Sequence, residues 1–422
     1  MRKIAIISEH ASPLAAAGGV DSGGQNIYVA QVARHLARRG YIVDVFTRRD
    51  GENLPEIVEL QPRLRVVHVP AGPPCFVRKE ELLPLMDDFF EHVRRFAAVH
   101  GEYHLAHANF FMSALVALRL KQALGTPFVV TFHALGRVRR QHQSDTDEFP
   151  HERMRIEDQC IAGADAVIAE CPQDEADLTT LYRADPARIR VIPCGFDKAE
   201  FWPIARPFAR RALGFDPKDR ILMNIGRLVP RKGIDNVVRA LGRLSRDYGI
   251  AARLIVVGGN SDLPCPVITP EIGRLRGIAA AEGVADQVVF TGRRSREFLK
   301  LYYNAADIFA TTPWYEPFGI TPLEAMACGT PVVGSDVGGI KYSVADGFTG
   351  ALVPPHDPDA LAASLAKLFS DPGLRKELGR NAIDRVHERF TWNKVTGSIA
   401  GLYEDLLEGR SPEPVERIAA AA

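Results

Sequence analysis

Short apolar runs alternate with amphipathic stretches along most of this chain. Residues 3–8, 41–47, 65–70, 104–108, 128–132, 166–170 and 190–192 are compact hydrophobic runs and read as strands. Between the first two lies a stretch in which Ile27, Ala30, Ala33, Leu36 and Ala37 recur at helical spacing before Gly40. Phe89, Phe90, Val93 and Phe96 mark a further helix with a core-facing side. Residues 193–207 are irregular and rich in proline, which places a domain boundary there. The alternation then restarts. Strands are expected at 221–225, 253–257, 288–291, 308–311, 330–335 and near Leu352. Helices are expected at 234–248, 271–281, 296–305, 359–369, 374–390 and 392–407. Two successive runs of this kind predict an α/β protein of two doubly wound parallel-sheet, Rossmann-like domains facing a cleft. The domains are expected at 1–200 and 207–390, with a final helix at 391–408 and a disordered tail at 409–422.

One stretch, residues 307–339, concentrates the candidate chemistry. It reads strand, loop, short helix, strand, with Glu316 on the loop and Glu324 on the first helical turn. Exposed N–H groups at Gly319, Ile320 and Thr321 would favour a phosphate at the helix start, and the carboxylates would accept from sugar hydroxyls. A capping box from Thr321 to Glu324 is an equally good reading of that second carboxylate. Arg227 and Lys232 follow the strand at 221–225, where a guanidinium fork and a point charge suit a diphosphate; an exposed basic loop is the alternative.

In the first half, the run Gly18-Gly19-Val20-Asp21-Ser22-Gly23-Gly24-Gln25 follows the first strand, where doubly wound folds bind ligands. It lacks the G-x-G-x-x-G dinucleotide fingerprint, which disfavours an NAD oxidoreductase. His133 ends the strand at 128–132 and is a site candidate by position. A His104/His107 metal pair is weak, since no cysteine or carboxylate cluster completes it. Arg153 and Glu157 are one helical turn apart, so a simple ion pair competes with any ligand role.

Composition narrows the class. Lys and Arg total 52 and Asp and Glu total 52, and this zero net charge argues against a dedicated nucleic-acid binder. The first apolar run is too short for a signal peptide, and no later run spans a bilayer. Six cysteines without C-x-x-C suggest reduced, buried thiols and a cytoplasmic protein. The basic run Arg137, Arg139 and Arg140 leaves peripheral contact with anionic headgroups as a further partner class.

Taken together, Gly23-Gly24, His133, G-R-L-x-x-x-K-G at 226–233 and E-P-F-G-I-T-P-L-E at 316–324 resemble the retaining glycosyltransferase family 4, of the GT-B fold. The resemblance covers nearly the whole chain. It implies that Arg227 and Lys232 bind a nucleotide sugar's diphosphate, Glu316 the sugar hydroxyls and Glu324 the ribose. Gly24 would approach the diphosphate, His133 would lie near the donor sugar, and Phe318, Gly319 and Ile320 would complete the donor side. The implied catalytic set is His133, Arg227, Lys232 and Glu316, with no obligatory metal or other cofactor. The final helix, in this fold, crosses back onto the N-terminal domain.

D-S-G-G-Q-N-I-Y-V and R-K-E-E-L-L-P look like the subset containing sucrose-phosphate synthase, sucrose synthase and the inositol-phosphate N-acetylglucosaminyltransferases. Lys79 and Arg153 then match acceptor-phosphate ligands, with Asn109 and Gln25 also on the acceptor side. Phe110 and Ala134 stand where the inositol-phosphate enzymes carry Tyr and Thr, which removes two hydroxyls. The expected activity is transfer of a hexosyl group from a UDP-glucose-type donor to a sugar or phosphosugar hydroxyl, with retention. A GDP-mannose or UDP-N-acetylglucosamine donor with a glycan, lipid-linked or inositol-phosphate acceptor is the alternative. A nucleotide-sugar epimerase or a non-catalytic sugar-nucleotide binder is the alternative of another class.

Overall fold

The structure is a computed structural model, and it describes residues 1–15, 23–143 and 147–410. These group into two compact units. One comprises Met1–Ala15, 23–193 and 392–410, and the other Cys194–Thr391. Residues 194–200, expected in the first domain, therefore group with the second unit; there the Phe196 N–H donates to Phe390 O at 2.8 Å. Residues 16–22, which hold the start of the Gly-rich run, and the tail 411–422 lie outside the described residues.

The first unit carries β1 (Lys3–Ile7), β2 (Ile42–Arg48), β3 (Ile57–Gln61), β4 (Leu64–Val69), β5 (Leu105–Asn109), β6 (Phe128–Thr131), β7 (Ala166–Ala169) and β8 (Ile189–Val191). They form one sheet in the order β3-β4-β2-β1-β5-β6-β7-β8. Every pairing is parallel except β3 with β4, so the expected parallel sheet gains an antiparallel edge. β3 escaped the sequence pattern because its side chains are mostly exposed or half-buried and its apolar signal is weak.

Several helices also escaped it. Phe111–Leu124 is apolar on nearly all sides and fills the core beneath the sheet, so it shows little amphipathic period. Gly136–Gln143, which holds the basic run Arg137, Arg139 and Arg140 and shows no helical period in the sequence, is a helix. Within it, Arg137 pairs with Asp158 at 2.6 Å and Arg139 with Asp147 at 2.7 Å. Those pairings compensate two of the three charges invoked for a membrane surface.

The helix Trp392–Leu407 belongs to this unit. Tyr28 meets Trp392 edge-on at 5.8 Å, and His107 lies between Tyr403 Oη at 2.7 Å and Thr131 Oγ1 at 2.9 Å. Burial, with a smaller contribution from His133, pushes the His107 imidazole down to about 3. His107 is thus a core hydrogen-bonding residue. His104 is tied instead to the Lys3 N–H through Nδ1 at 3.1 Å.

The second unit carries β9 (Ile221–Ile225), β10 (Arg253–Val257), β11 (Val288–Gly292), β12 (Ile308–Thr311), β13 (Val332–Ser335) and β14 (Gly350–Val353). The order is β11-β10-β9-β12-β13-β14, with every pairing parallel. Strands buried on both faces explain why these apolar runs were so legible. Of the six cysteines, Cys160, Cys171, Cys194 and Cys328 are buried, whereas Cys75 is exposed and Cys265 half-buried. No helix among the described residues is long and apolar enough to cross a membrane.

Candidate active site

In a doubly wound sheet the chain leaves the first strand in both directions, and the loops at that reversal part to leave a crevice. In the second unit the reversal lies between β9 and β12. The loop after β9 carries Arg227, Arg231 and Lys232, and the loop after β12 carries Glu316. Lys232 Nζ is ion-paired with the Glu316 carboxylate, with 23% and 13% of those side chains exposed, so both line a recess rather than open surface.

Burial lowers the Lys232 ammonium to about 8, Arg231 and Arg227 push the same way, and Glu316 opposes them. For Glu316, burial alone would raise the carboxyl. Lys232, Arg231 and Arg227 outweigh it and hold the group below the ordinary carboxylate range. Three cations therefore act on one carboxylate. Arg231 was not singled out from the sequence, although it adjoins Lys232. Its guanidinium lies 5.3 Å from the Tyr315 ring centre, and its Nη1 is buried without a partner.

The turn that presents Lys232 is built on Gly233, whose φ of +62° is left-handed and whose missing Cβ would sit 1.9 Å from Thr312 O. Thr312 Oγ1 donates back to Gly233 O at 2.8 Å, which ties the two loops together. The following helix, Ile320–Ala327, starts two residues earlier than expected, with Gly319 as its N-cap at φ +90°. Phe318 is buried and backs the loop.

Glu324 does not form the capping box. Its Oε1 accepts from Arg296 Nη1 at 2.7 Å and its Oε2 from Tyr303 Oη at 2.8 Å. Arg296 and Tyr303 lie on one helix, Arg296–Ala305, seven residues apart and so on one face. That spacing was the available signal for both.

The first unit has its own reversal, between β1 and β5. Gly24 and Gln25 open the helix Gly24–Arg38 there, and Gln25 Nε2 donates to Asn109 O at 3.2 Å. Asn109 Oδ1 faces His133 Nε2 at 3.0 Å, and His133 Nδ1 faces Glu170 Oε1 at 3.1 Å. Tyr28 closes on the same ring edge-on at 4.8 Å. His133 itself is left-handed at φ +59°, a strained state for a residue with a Cβ. The structure thus gathers Gly24, Gln25, Asn109 and His133 at the carboxyl ends of the central strands. Glu170, unnoticed in the sequence, ends β7 by the rule that singled out His133.

Arg153 is fully buried. Its Nε donates to Glu157 at 2.8 Å, so the simple ion pair is present. Nη2 donates to Ala134 O, and Nη1 is buried without a partner. The rings of Phe110, Phe111 and Phe149 surround the guanidinium at 4.9, 5.0 and 4.6 Å. Phe110, too, is left-handed, at φ +86°. Lys79 opens a 3₁₀ turn, Lys79–Glu81, ahead of the helix Met86–His100. Among the described residues, no three His, Cys, Asp or Glu are grouped to hold a metal ion.

Residues 22–200 match glycosyltransferase family 4, and residues 205–385 match the glycosyl transferases group 1. A D-inositol 3-phosphate glycosyltransferase of Actinosynnema mirum is 41% identical over 410 residues, covering 96% of this chain and 97% of that protein.

The chain belongs to glycosyltransferase family 4.

A second relative, the D-inositol 3-phosphate glycosyltransferase of Acidothermus cellulolyticus, is 39% identical and covers 99% of this chain and 93% of its own length. Among solved structures, sucrose-phosphate synthase from Thermosynechococcus elongatus superposes with a TM-score of 0.89 at 35% identity, covering 97% of this chain and 100% of that one. The Anabaena HepE protein in complex with UDP-glucose, at 21% identity and a TM-score of 0.75, covers 96% of this chain and 100% of its own, and shares the fold. The family 4 chain has the GT-B fold, and it is a glycosyltransferase.

Proposed function

We propose that this glycosyltransferase moves a hexosyl group from a UDP-glucose-type donor to a hydroxyl of a sugar or phosphosugar, with retention at the anomeric carbon. The observation that carries the reading is the charge at the β9/β12 reversal. Arg227, Arg231 and Lys232 all act on Glu316, and a cluster of three cations beside one carboxylate suits a diphosphate. The leaving group is a nucleoside diphosphate, so the main demand is to stabilise negative charge as the glycosidic bond breaks. Lys232 and Arg227 meet that demand together with the N–H groups opening the helix Ile320–Ala327, and no metal is obligatory. In the second unit Glu316 holds sugar hydroxyls and Glu324 the ribose. No covalent nucleophile is assigned.

On the acceptor side the assigned residues are Gln25, Lys79, Asn109, Phe110, Ala134 and Arg153. The names of the relatives at 35% and 41% identity both carry a phosphate on a polyol. Arg153 retains one unsatisfied N–H group for such a phosphate. Phe110 and Ala134 offer no hydroxyls, which favours a phosphosugar such as fructose 6-phosphate over inositol phosphate.

A thermal-shift panel of UDP-glucose, UDP-N-acetylglucosamine, GDP-mannose and ADP-glucose tests the donor. Product analysis with fructose 6-phosphate and inositol 3-phosphate tests the acceptor. UDP-glucose stabilisation with a glucosylated fructose phosphate is the expected result. Product from inositol phosphate alone would overturn the acceptor, and isomerised donor without acceptor would point to an epimerase.

Donor binding should depend on pH with a definite sign. Lys232 is an ammonium below about 8 and neutral above it, and the diphosphate selects the ammonium. Donor Kd should therefore be flat below that value and rise above it, by at most about tenfold per pH unit for one linked proton. Lys232→Arg should flatten the profile, because a guanidinium does not titrate in this range. Calorimetric Kd between pH 6 and 10 decides it; a wild-type profile flat throughout would detach Lys232 from the diphosphate.

A further inference from the structure

We infer that Arg296 and Tyr303 form a clamp that positions Glu324 for the donor ribose and keeps it from capping its own helix. The inference rests on the nucleotide-sugar reading above. It starts from a conflict in the sequence. Thr321 and Glu324 have the spacing of a capping box, in which the carboxylate would turn back onto the Thr321 N–H and satisfy it. Such a cap would put negative charge over the helix start, where a diphosphate needs N–H donors.

The structure resolves the conflict against the cap. Arg296 Nη1 holds one oxygen of Glu324 at 2.7 Å, and Tyr303 Oη holds the other at 2.8 Å. The clamp is itself well anchored. Arg296 Nε is ion-paired with Glu200, and its guanidinium rests 4.8 Å from the Phe201 ring centre. Tyr303 is fully buried, edge-on to Phe201 at 5.7 Å and to Phe309 at 5.4 Å. Burial, reinforced by Glu324, raises the Tyr303 phenol well above its ordinary value, so it remains a donor. Burial would lower the Arg296 guanidinium, but Glu324 and Glu200 outweigh it and raise it.

A carboxylate oxygen can accept more than one hydrogen bond. Each Glu324 oxygen, taken once by the clamp, keeps acceptor capacity of fixed direction, and vicinal hydroxyls are the partners that fit two such acceptors. Arg296 and Tyr303 are positioning residues in this scheme: they act through Glu324 and leave the reacting atoms to others.

The test is calorimetric binding of UDP, GDP and ADP, each beside its 2′,3′-dideoxy counterpart, to wild type, Tyr303→Phe and Arg296→Lys. Tyr303→Phe keeps the buried ring and removes only the hydroxyl. Arg296→Lys keeps the charge and removes the fork, and it stands in should the first variant fold poorly. The preferred diphosphate should bind each variant roughly 10- to 150-fold more weakly than wild type, as expected for a hydrogen bond to a charged group. With the dideoxy ligand, wild type and variants should converge. Equal losses for both ligands would mean a structural role only and would overturn the clamp, as would no loss at all. If wild type bound none of the three diphosphates, the nucleotide-sugar reading itself would fall, a result distinct from either.

Discussion

Lys232→Ala should lower transfer, measured as kcat/KM for the nucleotide sugar, by roughly 10²- to 10³-fold, the loss typical when one preorganised donor to a developing oxyanion is removed. That corresponds to about 3–4 kcal/mol of transition-state stabilisation. The substitution deletes a charge-assisted hydrogen bond to the diphosphate. It also strands Glu316, whose carboxyl Lys232 helps hold below the ordinary range, in a buried place facing an anionic ligand. Lys232→Arg should lose less, because the charge stays while the reach changes. Stability should respond differently from activity. Relief of the buried ammonium's desolvation partly offsets the stranding of Glu316, so melting of Lys232→Ala should fall only moderately while activity collapses. Donor-saturation kinetics and thermal melting of the same preparations separate the two. A variant with transfer within about threefold of wild type would remove Lys232 from the mechanism.

The second unit was legible because its strands are buried on both faces and its helices have one apolar side. The strands at 221–225, 253–257 and 308–311 and the helices at 234–248 and 296–305 stand where the pattern put them. The first unit was harder wherever burial departed from period. Helix Phe111–Leu124 is buried nearly all round over its first two turns, and β3 is hardly buried at all. Glu316 and Lys232 could be named because their chemistry is local to two short loops. Their partnership required the β9/β12 adjacency, which no local pattern encodes. Glu324 shows the opposite case. Its local pattern spelled a cap at Thr321, but the helix has Gly319 as its N-cap, and Arg296 and Tyr303 hold the carboxylate instead. Arg153 joins both readings: the helical ion pair with Glu157 is made, yet one N–H of the same guanidinium is left unmatched among three aromatic rings.

Gly338→Ala should be among the most damaging single methyl groups in the second unit. Gly338 has φ +45°, and an ideal Cβ there would lie 1.9 Å from the carbonyl oxygen of Glu316. The obstacle is backbone, so no side-chain rotation relieves it. The Glu316 carbonyl is seated on this turn, accepting from the Gly339 N–H at 3.1 Å. Moving that carbonyl out of contact drags Glu316 away from Lys232 and shifts the loop that leads into Gly319. The cost combines left-handed strain of about 1–2 kcal/mol with overpacking of about 1–3 kcal/mol. A suitable control is Gly249→Ala, since Gly249 has φ +63° with nothing within 4 Å of its would-be Cβ. It should show the conformational strain alone, about 1–2 kcal/mol, with donor affinity intact. Gly338→Ala should instead lose both stability and more than about tenfold in UDP affinity, a shift of at least about 1.4 kcal/mol. Denaturant unfolding and calorimetric titration, run on both variants, distinguish a displaced Glu316 loop from a general weakening. If the two variants bound UDP equally well, the seat under Glu316 would not be what sets the geometry of the site.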